Sequence, residues 1–234
     1  MLCRSFRAPR LRYNSELWLF VQPPAFFTPF PKPMGSRFVG LAAAFYAALL
    51  FAAAVLGVLR ARNVFALGDQ ALLDLFVGVA IACGTVALSV VLYHLSPALR
   101  QLSDELAPRL VDGARRRDLA LVAVLSGVGE EVFFRGALQP ELGLVATSLL
   151  FGALHVGPDR RYLVWTLWAL GAGFLFGFLY VWTDGILAPV TAHVMHNTAT
   201  LLLWKRTRRR RSGSQEDTAS REAPRRDAVV RGEG

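Results

Sequence analysis

Hydrophobic and polar positions alternate along this chain on a long wavelength, not residue by residue. Apolar runs near the roughly 20 residues that cross a bilayer as a helix recur six times. They lie at about Phe38 to Leu59, Leu73 to Leu95, Leu119 to Leu138, Leu142 to His155, Tyr162 to Trp182 and Ile186 to Trp204. The fourth run is short. The pattern predicts an all-α polytopic membrane protein of about six transmembrane helices, forming one transmembrane helical domain over 38–204. A Pro- and Arg-rich N-terminal segment, 1–37, and a polar low-complexity tail, 205–234, flank it. Both are expected to be flexible, and the tail disordered.

Composition supports this class: 54% of residues are hydrophobic, only 18% are charged, and the mean hydropathy is +0.40. A soluble domain of this length carries more charge. Cys3 and Cys83 stand far apart and fit no metal or disulfide spacing. The run LWLFVQPPAFF is broken by prolines and lacks a small-residue cleavage site, so the first span reads as a retained signal-anchor, with Met34 an alternative start. Of the 26 Lys and Arg residues, 23 fall in the N-terminal segment, the Ser96–Asp118 loop, the Arg160–Arg161 pair and the tail. The positive-inside rule then predicts a multi-pass protein of the cell membrane with both termini cytoplasmic. The net charge of +9 therefore points to a membrane surface, not to nucleic acid. KRTRRRR, Lys205 to Arg211, reads as a stop signal and a contact for anionic lipid headgroups.

Against that background GVGEEVFFRG, Gly127 to Gly136, is conspicuous. A charge at the centre of a membrane helix costs about 2.5–3.5 kcal/mol on insertion scales, so such residues face a bundle interior and pair there. Glu131 and Arg135, four apart, share a helical face and can neutralise each other. Glu130 points about 100° away and must be answered from other spans. Two stretches offer partners: FGALHVGP, with His155 four residues after Phe151, and TAHVMHNTA, with His193 and Asn197 four apart. Counted at about 1.5 Å per residue, Glu130 and His193 lie level, roughly 17 Å from the cytoplasmic face, with His155 roughly 7 Å lower. Either histidine alone would read as a packing residue, as His196 does, with His94 at the interface. The GAGFLFG glycines read as a close packing surface, and Trp165, Trp168, Trp182 and Trp204 as anchors or packing residues.

Glu130-Glu131-x-x-x-Arg135, Phe151-x-x-x-His155 and His193-x-x-x-Asn197, in that order, resemble the three motifs of the CPBP (Abi) family. That family contains the type II CAAX prenyl endopeptidases and bacterial intramembrane glutamic proteases. The resemblance covers about Leu119 to Trp204. It implies that Glu130 activates a water for attack on a peptide carbonyl, with His155 helping to hold that water. It implies further that His193 and Asn197 donate to the oxyanion, while Glu131, Arg135 and Phe151 support the site. A carboxylate in a partly dry cavity suits general-base work, and fixed donors there stabilise transition-state charge. The partner expected is a membrane-associated protein or peptide; no cofactor is expected. Other intramembrane proteases fit less well. Val124 stands where a Gly-x-Ser-Gly motif ending at Ser126-Gly127 needs glycine, and HExxH is absent. A zinc site built from Glu130, His155 and His193 ranks below the glutamate mechanism because Asn197 is a poor zinc ligand. A non-enzymatic scaffold or immunity protein is the alternative from another class. Nothing in the chain selects a substrate.

Overall fold

Helix formation follows the apolar runs with a few departures. The computed structural model describes residues 36–157 and 160–222, and among them there is no strand. The helices are α1 (Ser36–Leu59), α2 (Ala71–Leu95), α3 (Pro97–Val111), α4 (Arg116–Glu131), a π-helical segment (Val132–Leu138), α5 (Gln139–Leu154), a 3-10 turn (Arg160–Tyr162), α6 (Leu163–Thr183) and α7 (Leu187–Glu222). All but the last two residues of the expected N-terminal segment 1–37 lie outside the described residues. So do Cys3, Met34 and the LWLFVQPPAFF run.

The outer faces are apolar and exposed: Leu41 is 75% accessible and Val58 82%, whereas Glu131 and Arg135 are buried. This reverses the arrangement of a water-soluble domain. Among the described residues four stretches are long and apolar enough to cross a membrane: Phe38–Leu59, Ala71–Leu95, Arg116–Leu154 and Leu163–Thr183. They make this a multi-pass membrane protein, although four, not six, qualify on length and apolarity alone. The span expected over Ile186 to Trp204 falls short because His193, His196, Asn197 and several threonines interrupt it. The expected third and fourth spans form one helical run, but not a straight rod. The Phe134 and Phe151 rings lie 5.0 Å apart, where straight helix would separate them by about 25 Å. The chain folds back at Gly143, whose φ of 78° and ψ of 166° suit glycine alone.

Contacts fix the helix directions. Tyr46 meets Gly129 and Ala53 packs with Val132, so α1 runs parallel to α4. Arg135 and Gln139 donate to the carbonyls of Gly173 (3.2 Å) and Gly177 (2.8 Å), so α6 is parallel as well. Gly78 abuts Thr191 and Thr85 meets His196, which makes α7 parallel to α2. Midway along α7, Lys205 donates to the carbonyl of Ala114, while Val194 meets Gly127, which sets α7 antiparallel to α4.

Two polar regions differ from expectation. The Ser96–Asp118 loop contains α3, started by Pro97 and by the Ser96 hydroxyl, which accepts from the Leu99 N–H at 3.3 Å. Its Leu102, Ala107 and Val111 are buried. The tail expected to be disordered from residue 205 instead continues α7 to Glu222; residues 223–234 lie outside the described residues. Lys, Arg, Gln and Glu are good helix formers, and the start of the extension is tied down. Lys205 reaches the carbonyls of Val111 and Ala114, and Arg208 pairs with Asp112 at 2.6 Å. Two basic residues expected to meet lipid thus have protein partners.

Candidate active site

The deepest polar group in the fold is built around Glu131. Its carboxylate meets Arg135 Nε at 3.1 Å and His193 Nδ1 at 2.7 Å, and both acidic and basic partners are almost fully inaccessible. A carboxylate beside a guanidinium accepts but does not donate, so the His193 Nδ1 carries the proton in this bond. Arg135 also donates to the Gly173 carbonyl, and its guanidinium lies 4.7 Å from the centroid of the Phe151 ring. Phe134 and Phe176 flank it, each 5.9 Å away. In such a dry box, cation–π attraction supplies about 2 kcal/mol. Phe151 thus serves two partners, because its ring also lies 4.5 Å from that of His155.

Glu130 points elsewhere, as one residue of helical rotation requires. Its Oε1 accepts from the Tyr46 hydroxyl of α1 at 3.1 Å. Its Oε2 is buried, has no hydrogen-bond partner among the described residues, and lies 4.0 Å from His155 Nε2. His155 donates Nδ1–H to the Phe151 carbonyl at 2.7 Å, since a carbonyl only accepts. In the neutral ring the Nε2 lone pair therefore faces Glu130. The two side chains keep 13% and 23% of their surface accessible, unlike the sealed Glu131 pair. Asn197 Nδ2 donates to Ser126 Oγ at 3.0 Å, one turn before Glu130 on α4, leaving its second N–H available.

Local sequence makes this convergence possible. The helix widens to i→i+5 bonding immediately after Glu131; such π-helical segments are uncommon and gather at functional sites. Two glycines let neighbours approach: a Cβ on Gly127 would lie 2.5 Å from Val194 Cγ2 and 2.8 Å from its backbone nitrogen, and one on Gly129 3.0 Å from Tyr46 Cδ1. With α7 and α1 so close, His193 reaches Glu131 and Tyr46 reaches Glu130.

All the motif residues come together, with three differences from the sequence expectation. His193 answers Glu131 through Nδ1, not Glu130. His155 is level with Glu130, not roughly 7 Å lower, because the fold-back at Gly143 releases α5 from the straight-helix register used in that count. Glu130 is met from α1, where Tyr46 was unexpected. The signal was present: Tyr46 is the sole polar side chain between Phe38 and Leu59. Ser126, which the sequence set only against a serine-protease motif, belongs to none of the three motifs yet holds Asn197. His196 does pack, stacked on Trp168 at 5.6 Å with Nδ1 3.0 Å from Thr85 Oγ1. Trp165 lies 6.2 Å from the His155 ring, nearer the site than an anchor. Among the described residues no group of three or more His, Cys, Asp or Glu side chains is arranged to hold a metal ion.

Fold and site together define a multi-pass helical membrane protein with a carboxylate–imidazole cluster buried between its helices. Residues 116–199, the segment carrying all three motifs, match the family model described as type II CAAX prenyl endopeptidase Rce1-like. The resemblance read from the motifs is thereby shown, and at family level it is to a CAAX-type membrane endopeptidase. The Bacillus subtilis (strain 168) "Uncharacterized protein YpbD" is 36% identical over 75 residues, 32% of this chain and 39% of that protein. The match thus spans about two fifths of the relative's length. No solved structure matches the chain.

Proposed function

We propose that the protein is an intramembrane glutamic endopeptidase that hydrolyses a peptide bond in a membrane-associated protein or peptide. The observation that carries this is the pairing of an unpartnered, buried Glu130 Oε2 with the His155 Nε2 lone pair at 4.0 Å. That gap suits one water hydrogen-bonded to both atoms at about 2.8 Å. Glu130 takes a proton from this water as its oxygen attacks the peptide carbonyl carbon. The oxyanion so formed is met by the spare N–H of Asn197 and by His193 Nε2. For that second donor the ring must carry both protons, with Nδ1–H held by the Glu131 carboxylate. Return of the proton to the amide nitrogen breaks the C–N bond and releases an acid and an amine. Glu131, Arg135 and Phe151 hold the donors in place.

The same reading keeps both termini in the cytoplasm of a cell-membrane protein, with the exposed Arg206 and Arg209 meeting anionic headgroups. The deciding experiment is quantitative proteomics of membrane and secreted fractions in the native host, comparing wild type, Glu130→Gln and Glu131→Gln at matched protein levels. Accumulation of uncut precursors with Glu130→Gln is expected. An unchanged proteome from a normally inserted variant would move the scaffold or immunity reading to first place. Cleavage is also expected to survive a strong zinc chelator; loss that zinc restores would instead favour a metal bound by Glu130, His155 and His193.

A further inference from the structure

The family match begins at residue 116, so the first 115 residues lie outside it. Yet α1 reaches the polar cluster at one point. Between Phe38 and Leu59 every side chain but one is apolar or absent; the exception is Tyr46. A hydroxyl inside a membrane span needs a partner, because lipid supplies none. Tyr46 finds it in Glu130 Oε1, 84 positions away in sequence, at 3.1 Å.

The contact is held in place from several sides. The Tyr46 ring sits on the bare backbone of Gly129, where a Cβ would meet its Cδ1 at 3.0 Å and its Cβ at 3.1 Å. Phe45 packs edge-to-face against it, centroids 5.1 Å apart. The phenol can only donate to an ionised carboxylate. Glu130 therefore has two unequal oxygens: Oε1 is bound by Tyr46, and Oε2 is turned toward His155 Nε2 at 4.0 Å. Without a fixed donor, rotation about the last side-chain bond would exchange them freely, since such terminal torsions are broad.

We propose that Tyr46 is a positioning residue for hydrolysis, holding Glu130 Oε1 so that Oε2 is the oxygen presented to the water at His155. The proposal rests on Glu130 being the general base. It makes α1, outside the matched segment, part of the active site.

The test uses the full chain in liposomes, with the precursor that accumulates in the Glu130→Gln host as probe. Tyr46→Phe keeps the ring and its packing and removes only the hydroxyl. Its kcat is expected to fall about 10- to 100-fold, the range for a misaligned catalytic group, with KM and the detergent melting temperature unchanged. Gly129→Ala, which leaves the hydroxyl but displaces the ring, is expected to lower kcat in the same way. An infrared readout needs no substrate: the carboxylate band that disappears in Glu130→Gln is expected to move in Tyr46→Phe. If Tyr46→Phe turns over like wild type and leaves that band in place while Glu130→Gln is inactive, the positioning role is wrong and the hydrolytic reading stands. If Glu130→Gln itself cleaves the precursor in liposomes, both fall together.

Discussion

At the residue scale, adjacency on a helix separates two glutamates into different environments. Glu131 faces the sealed interior with Arg135 and His193, and Glu130 faces a partly accessible cleft with Tyr46 and His155. Removing one member of a buried ion pair strands the other, at a cost of about 3–5 kcal/mol, whereas replacing both by apolar groups of similar size is often close to neutral. Glu131→Leu and Arg135→Met should therefore each unfold at markedly lower temperature in detergent, and the double variant should recover most of that loss. A double variant as unstable as the sum of the singles would show that the pair is not a unit. Glu130→Gln, by contrast, should melt close to wild type while losing cleavage, because its carboxylate is only half engaged.

At the scale of elements, close crossings carry the chemistry. α4 presents Gly127 to α7 and Gly129 to α1, and it widens into a π-helical segment directly after Glu131. Overpacking a tight contact typically costs about 1–3 kcal/mol. Gly127→Val is expected to lie in that range and, by moving Val194 and with it His193, to reduce cleavage. Gly171→Ala is the matched control, since a Cβ there meets nothing within 4 Å; it should be silent in both melting and cleavage. The GAGFLFG stretch thus splits. Gly173 and Gly177 pack closely and offer their carbonyls to Arg135 and Gln139, while Gly171 faces open space. Sequence spacing could not make that distinction, because it depends on which face α6 turns to its neighbours.

At the scale of the whole molecule, the polar cluster lies among helices whose outer surfaces are apolar, so under the proposed function a substrate would reach it from within or beside the membrane. The expected orientation places the α1–α2 connection outside and the α3–α4 connection inside. In a background lacking Cys3 and Cys83, Asn63→Cys should react with an impermeant maleimide on intact spheroplasts, and Arg117→Cys only after permeabilisation. The reverse pattern would invert the topology. The Arg208–Asp112 pair is partly exposed, so it contributes little, about 0–1 kcal/mol. Arg208→Ala should scarcely shift the melting temperature.

The sequence by itself determined the membrane class, the helical fold and the three motifs. Each is a local property: the length of an apolar run, or a spacing of four that places two side chains on one helical face. It also separated Glu130 from Glu131, since rotation per residue is fixed by the helix. It did not determine that His193 would turn to Glu131, that His155 would rise to the level of Glu130, or that Tyr46 would join them. Those depend on the reversal at Gly143, on the glycine-lined approach of α1 and α7 to α4, and on the π-helical widening after Glu131. Such features arise only when helices distant in sequence pack together, because a side chain's partner is set by distance in space, which no one-dimensional spacing encodes.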